Sequence, residues 1–339
     1  MPTRRTLLLL NPAKAAVLLG ALSATLVAAA PVSAQAPSPD ALAGLQPDSL
    51  VEGQDYKIYD RWGIETSLYA IVRSAVGDDV LLVGEEHDDM VGHALETSLL
   101  GTVLDEIGAP SGSGRTVVLS LEMFERDVQY ILDEYLEGQI SEQHFLRSAR
   151  PWDHYEARYR PLVELAKERG TPIVAANAPR RYVSRVTSEG PESLASLSEM
   201  ARGFLPPLPY PGPSRSYREQ WEAIMDEAMS GHDAEPSGYE MNPNAIYSQA
   251  LWDASMGHAV TQALVRHTGG FVVHFAGSFH VEKGTGIPER IADYRPGTRV
   301  TTIVMTKADD VDDWSAEEHG PLADYVVLTK KPEPASTGG

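Results

Sequence analysis

Cysteine is missing from all 339 residues. No disulfide can form, and any metal or cofactor must be held by oxygen, nitrogen or thioether ligands. A lipobox cysteine is missing for the same reason, which excludes a lipid anchor of that kind. Positive charge is scarce: 28 Lys and Arg face 48 Asp and Glu, for a formal net charge of −20. Such a balance argues against nucleic acid or an anionic membrane as a main partner, although it leaves room for a local basic cleft. Beyond the N-terminal segment no run is long and apolar enough to span a bilayer. Several signatures are missing too: helical zinc motifs, the G-x-S-x-G elbow, the phosphate loop and the dinucleotide fingerprint. Serine-hydrolase chemistry therefore has little support, Ser278 notwithstanding. There is no internal repeat.

What is present begins with a secretory pattern. Arg4 and Arg5 precede apolar runs at 7–10 and 15–30, and Val32-Ser33-Ala34 offers small residues for cleavage. This predicts a signal peptide over 1–34, cleaved near Ala34, and a periplasmic or secreted location. Residues 35–58 read as a lead, 59–330 as the main domain and 331–339 as a flexible tail.

Apolar runs of strand length lie at 80–83, 116–121, 171–176, 271–275 and 300–305, with a last edge strand expected at 324–329. Helical spacing fills the intervals at 63–75, 91–107, 152–166, 194–202, 217–229 and 245–267. The expected fold is α/β: a mostly parallel central sheet flanked by helices, with a smaller inserted helical subdomain at about 125–165 and 183–244. Five prolines within 206–213 exclude regular helix or central strand there.

The strands end in polar residues, and parallel sheets place ligands beyond the carboxyl ends of their strands. The first strand runs into Gly84-Glu85-Glu86-His87-Asp88-Asp89, with Gly84 as the turning point and Asp88 or Asp89 as a helix cap. The second ends at Glu122, which either faces a ligand or forms a buried pair with Arg126. The third ends at Asn177, followed by Arg180 and Arg181, whose guanidinium groups suit carboxylates or phosphates or bridge to the acidic excess. The fourth breaks at Gly277-Ser278-Phe279 into His280, a candidate ligand or proton acceptor, while His274 inside it reads as structural. His93, on the helix after His87, is placed to approach the crevice from above. Glu85, His87, Glu122 and His280 make a plausible N/O metal set. Tyr210 and Tyr239 lie in irregular segments, where a phenolate can ligate ferric iron.

GEEHDD at 84–89, LSLEMFERD at 119–127, VAANAPRR at 174–181, QALWDASM at 249–256 and FAGSFHVEKG at 275–284 together resemble the ChaN-like haem-binding-uptake family of the Tiki/ChaN superfamily, over roughly 59–304. The resemblance implies a parallel α/β domain with a smaller helical domain in an iron-regulated surface or periplasmic protein that binds haem. It further implies a homodimer holding a cofacial haem pair, with a tyrosine on iron, a histidine from the partner subunit, and an outer-membrane or cell-surface uptake partner. His87, His93, Asn177, Arg180, Arg181, Tyr210, Tyr239 and His280 are the candidate cofactor-binding residues. The Tiki branch resembles metal-dependent proteases built on the same Gly-Glu…His and Gly-x-x-His elements. In that alternative, a divalent-metal hydrolase of peptide or ester bonds, Glu85, Glu122 and His280 would be catalytic.

Overall fold

The computed structural model describes residues 47–108, 114–230 and 242–332, with the side chains of 47 and 227–230 excepted. The expected leader, Tyr239 and the last seven residues lie outside the described residues. Seven strands form one sheet: β1 (Tyr56–Asp60), β2 (Val80–Glu85), β3 (Val117–Glu125), β4 (Ile173–Asn177), β5 (Phe271–Gly277), β6 (Val300–Ala308) and β7 (Tyr325–Lys330). Their order across the sheet is β1-β7-β6-β2-β5-β3-β4. All neighbours pair in parallel except β1, which runs antiparallel to β7.

The central strands are buried along their whole length because both faces are covered. Leu81, Val83, Val273 and Phe275 point into one apolar layer. It is roofed by α1 (Leu68–Ala75), α2 (Met90–Glu106), α3 (Gln129–Leu136), α4 (Glu142–Ala149) and α5 (Arg160–Glu168). Val80, Leu82, Val272 and Ala276 point the other way. There they meet α8 (Ala245–Arg266) and α9 (Ile287–Tyr294). Between β4 and α8 the chain forms α6 (Arg180–Glu189) and α7 (Arg215–Ser230), which pack in smaller apolar clusters at the carboxyl end of the sheet. This is the inserted helical part of the α/β fold. No helix among the described residues is long and apolar enough to cross a membrane.

Four expectations need correction. Strand β1 falls partly in the stretch read as a lead. It covers β7, so the 324–329 strand is not the edge of the sheet. The helix expected over 152–166 is broken at Tyr159 into a single turn, Tyr155–Arg158, and α5. Pro161 stands in the first turn of α5, where the missing amide hydrogen costs nothing and φ is already helical. Gly84 does not turn the chain; β2 continues through it to Glu85. Its role is close approach, since a Cβ there would lie 2.9 Å from the Ser278 Cα.

His274 is wholly buried in β5, beside Ser120 on β3, and its Nδ1 pairs with the Ser120 hydroxyl at 2.9 Å. Burial and the neighbouring His280 charge lower its pKa to about 3. The folded protein thus refuses a proton that the unfolded chain accepts near pH 6.5. Stability should fall by about 1 kcal/mol per pH unit as pH drops from 6.5 towards 3. Urea unfolding across that window should show the slope reduced in a His274→Gln protein; an unchanged slope would assign the acid sensitivity elsewhere.

Candidate functional site

The parallel register places Glu85 of β2 opposite Gly277 of β5. On the other side of β5, β3 pairs only as far as Leu121 opposite Phe275. Its register with β4 then shifts between Leu121 and Glu125. Such an irregularity re-aims a side chain. Here it frees Glu122, whose Oε2 accepts the Gly277 amide at 2.7 Å. The ladder bond that the β3 backbone no longer offers is supplied by its side chain. No ion pair joins Glu122 to Arg126 among the described residues; Arg126 Nε is buried without a partner.

His87 completes this floor. A Cβ on Gly277 would lie 3.0 Å from His87 Cε1, 3.1 Å from Nε2 and 3.8 Å from Glu122 Oε2. Glycine is therefore the residue that lets the imidazole lie over β5. The His87 side chain is 22% exposed, and its Nδ1 pairs with Glu85 Oε1 at 2.6 Å. Trp152 stands edge-on to the ring at 4.9 Å. Burial opposes charging His87, but the bond to Glu85 and the charges of Glu85 and Glu122 outweigh it and raise its pKa.

His280 enters from the turn after β5. Its Nδ1 pairs with Asp253 Oδ1 of α8 at 2.7 Å, and its Nε2 lies 3.6 Å from Glu122 Oε1. Tyr217 of α7 donates to the other Asp253 oxygen at 2.6 Å. Gln220, one turn along α7, donates to Glu282 at 3.0 Å and accepts from Thr285 at 2.7 Å. Helix α7 thereby clamps the turn that carries His280. Burial disfavours the charged imidazole, yet the carboxylates of Asp253 and Glu122 raise its pKa to about 9.

Below His87 lies a second layer. The remaining contact of Glu85 Oε1 is the Tyr159 hydroxyl, which donates at 2.6 Å. His93 does not approach from above. It is buried in the first turn of α2, with Nε2 on the His87 carbonyl at 3.0 Å and Nδ1 3.0 Å from Glu96 Oε2 and 3.5 Å from Glu85 Oε2. Burial raises the Glu96 carboxyl well above its usual range, and the Glu85 charge raises it further. Burial acts the same way on Glu85, but His93 and His87 overcome it and hold that carboxyl below the ordinary range. Burial likewise opposes the charge on His93, which Glu85 and Glu96 nevertheless raise to about 9.

The structure thus brings Glu85, His87, Glu122 and His280 into one cluster at the carboxyl ends of the strands, in which His87 is partly exposed and the other three are buried, with His93 buried beside Glu85. The other candidates lie elsewhere. Asn177 is buried, and its Oδ1 accepts the Ala178 amide at 2.9 Å. The Arg180 side chain is exposed. Arg181 pairs with Asp127 at 2.6 Å and lies over the Tyr182 ring. Tyr210 is buried and donates to the Tyr247 carbonyl at 2.9 Å. It lines a separate cavity of about 460 Å³ together with Leu194, Leu208 and Tyr247. Asp89 is the α2 cap: its carboxylate accepts from Val91 at 3.0 Å and from Thr329 at 2.6 Å. Glu86 and Asp88 are tied to Lys307.

Asp253, Glu96, Tyr159 and Tyr217 were missed from sequence. Asp253 stands alone among Ala, Ser and Met on α8, and Glu96 interrupts the apolar stripe of α2. A single acid on an otherwise apolar helix face was the available signal, because an unpaired buried carboxylate is too costly to persist. If Asp253 holds His280, Asp253→Ala should cost about 3–5 kcal/mol in urea unfolding at neutral pH, by leaving a buried charged ring without its partner. Asp253→Asn should cost less, since the amide oxygen still accepts from Nδ1. Equal losses would deny the hydrogen bond a special role.

The comparisons with known proteins bear on the family and the fold. A solved structure described as cofacial heme binding to ChaN of Campylobacter jejuni is similar over 83% of this chain and 100% of that one, at 18% identity and a TM-score of 0.61. An erythromycin esterase, EreC, is similar over 70% of this chain and 72% of its own, at 11% identity and a TM-score of 0.41. The type III effector HopBA1 covers 77% of this chain and 92% of its own, at 11% identity and a TM-score of 0.40. The first likeness shows the fold; the other two carry no argument. No curated protein matches significantly. The model of the family described as "Haem-binding uptake, Tiki superfamily, ChaN" matches residues 71–291, well over half of the chain and the whole of the cleft. The protein belongs to that ChaN family of haem-binding-uptake proteins.

Proposed function

We propose that this chain is an extracytoplasmic haem (iron-porphyrin) binding protein with a role in haem or iron uptake, acting in the periplasm or after secretion. Family membership supports the class, and one observation carries the reading to a residue. His87 is a partly exposed imidazole whose Nδ1 is held by Glu85 and whose Nε2 has no hydrogen bond among the described residues. A carboxylate behind an imidazole orients the ring and raises its basicity towards a metal. The Trp152 edge beside it offers an apolar wall. Tyr210 does not fit as the iron ligand, because its hydroxyl is buried and bonded to a carbonyl. Arg181 is engaged by Asp127. Arg158 suits a propionate better: its Nε is buried without a partner, and its charge acts on Asp88, next to His87. When bound, haem would supply the iron, and these residues would hold and orient it. A homodimer covering the open face of the porphyrin, and an outer-membrane or cell-surface uptake partner, belong to the same proposal. Titration with haemin should give a saturable Soret band at micromolar concentration, weakened tenfold or more by His87→Ala and unchanged by Tyr210→Phe. A wild-type protein with no saturable binding would overturn this reading.

The convergence of His87 Nε2, Glu122 and His280 around Gly277 favours a second reading, a divalent-metal-dependent peptidase or esterase. A divalent ion there would lower the pKa of a bound water and polarise a carbonyl. Glu122 would serve as ligand or base, with Glu85 and Asp253 steadying the two imidazoles from behind. Metal-stimulated turnover of ester or peptide substrates should fall at least a hundredfold in Glu122→Gln. Metal-free protein without any metal-stimulated turnover would exclude this chemistry.

A further inference from the structure

We infer that Glu85, His93 and Glu96 form a second, fully buried site for a divalent cation of the zinc or manganese kind, beneath the cleft where His87, Glu122 and His280 meet. Among the described residues this trio alone offers ligand atoms that all lie within 4.8 Å of one another. All three side chains are buried, Glu96 completely. Glu85 Oε2 and Glu96 Oε1 are buried oxygens with no hydrogen-bond partner. A carboxylate oxygen in that condition needs a cation or a proton beside it.

The tautomer of His93 strengthens the case. Its Nε2 faces the His87 carbonyl at 3.0 Å and must donate, so Nε2 carries the hydrogen. Nδ1 faces Glu96 Oε2 at 3.0 Å and Glu85 Oε2 at 3.5 Å, so a divalent ion that displaces the Nδ1 proton would find one nitrogen and carboxylate oxygens already turned towards it. With that proton gone, three electron-rich atoms would face one another out of water and repel unless a divalent ion took its place. Two carboxylates and one neutral imidazole sum to a charge of two minus, which a divalent ion cancels. One nitrogen with carboxylate oxygens suits zinc or manganese better than an all-oxygen ion such as calcium. The carbonyl on Nε2 is the outer partner that ligating histidines ordinarily have. Because Glu85 Oε1 holds His87, an ion on Glu85 Oε2 would stiffen the mount of the cleft imidazole, whatever the cleft binds.

The test counts metal on protein stripped with a chelator and equilibrated with Mn²⁺ or Zn²⁺ by dialysis. A Glu122→Gln/His280→Ala protein, disabled in the cleft, should retain one equivalent and melt at higher temperature with metal than without. Glu96→Gln, nearly the same shape, should bind one equivalent fewer than wild type. No metal on the cleft variant, or wild-type stoichiometry in Glu96→Gln, overturns the inference and leaves a proton as the occupant. The cleft variant keeps the inference testable should Glu96→Gln fold poorly. Haemin titration reads the cleft alone, so failure there and failure here are distinct results.

Discussion

The pairing of β2 against β5 in parallel register is the constraint on which the cleft depends. It sets Glu85 level with Gly277. From that alignment follow the ring of His87 over a residue without a Cβ, the Glu122 carboxylate on the Gly277 amide, and the approach of His280 from the turn beyond. A slip of one residue along β5 would send every side chain to the opposite face of the sheet. The alternation of Leu81 and Val83 with Val80 and Leu82 between two apolar layers prevents such a slip, because both faces are buried.

Two histidines in the cleft are each backed by a carboxylate on Nδ1, Glu85 behind His87 and Asp253 behind His280. Fixing Nδ1 aims Nε2, and both Nε2 atoms face the Glu122 side of the floor. This is the arrangement by which proteins orient imidazoles towards a metal. The two backing acids come from different parts of the fold: Glu85 from the sheet, Asp253 from α8, itself steadied by Tyr217 of α7. The inserted helices therefore do more than cover the sheet. They determine the orientation of His280. The −20 net charge of the chain has little bearing here, since the local balance is set by buried pairs a few ångströms apart.

The strands from β2 to β7 were legible because six short apolar runs alternate with helical spacing, and both patterns arise from burial. β1 was not legible: it is a mixed, edge-lying strand whose sequence, YKIYD, carries no continuous apolar run. The split at Tyr159 was signalled by Pro161, yet the helical stripe passes smoothly over it. In the cleft, His87, Glu122 and His280 could be read from their positions at strand ends. Asp253 and Glu96 could not, since a residue on a helix reveals its direction only once the helix is packed. The engagement of Tyr210 was equally illegible: it stands in a proline-rich loop, yet its hydroxyl is bonded to the Tyr247 carbonyl.

By itself the sequence determined the class of the fold and the exclusion of thiolate chemistry, and it pointed to the carboxyl ends of the strands as the place to look for a site. Each of these is a local or compositional property. Tertiary structure alone decided which polar groups face one another. It put Asp253 behind His280 across 27 residues, drew Tyr159 to Glu85 across 74, and sank His93 and Glu96 beneath the cleft rather than over it. The reason is physical: hydrogen bonds and ion pairs act over a few ångströms, and only the packing of α2, α8 and the sheet brings those atoms within that range.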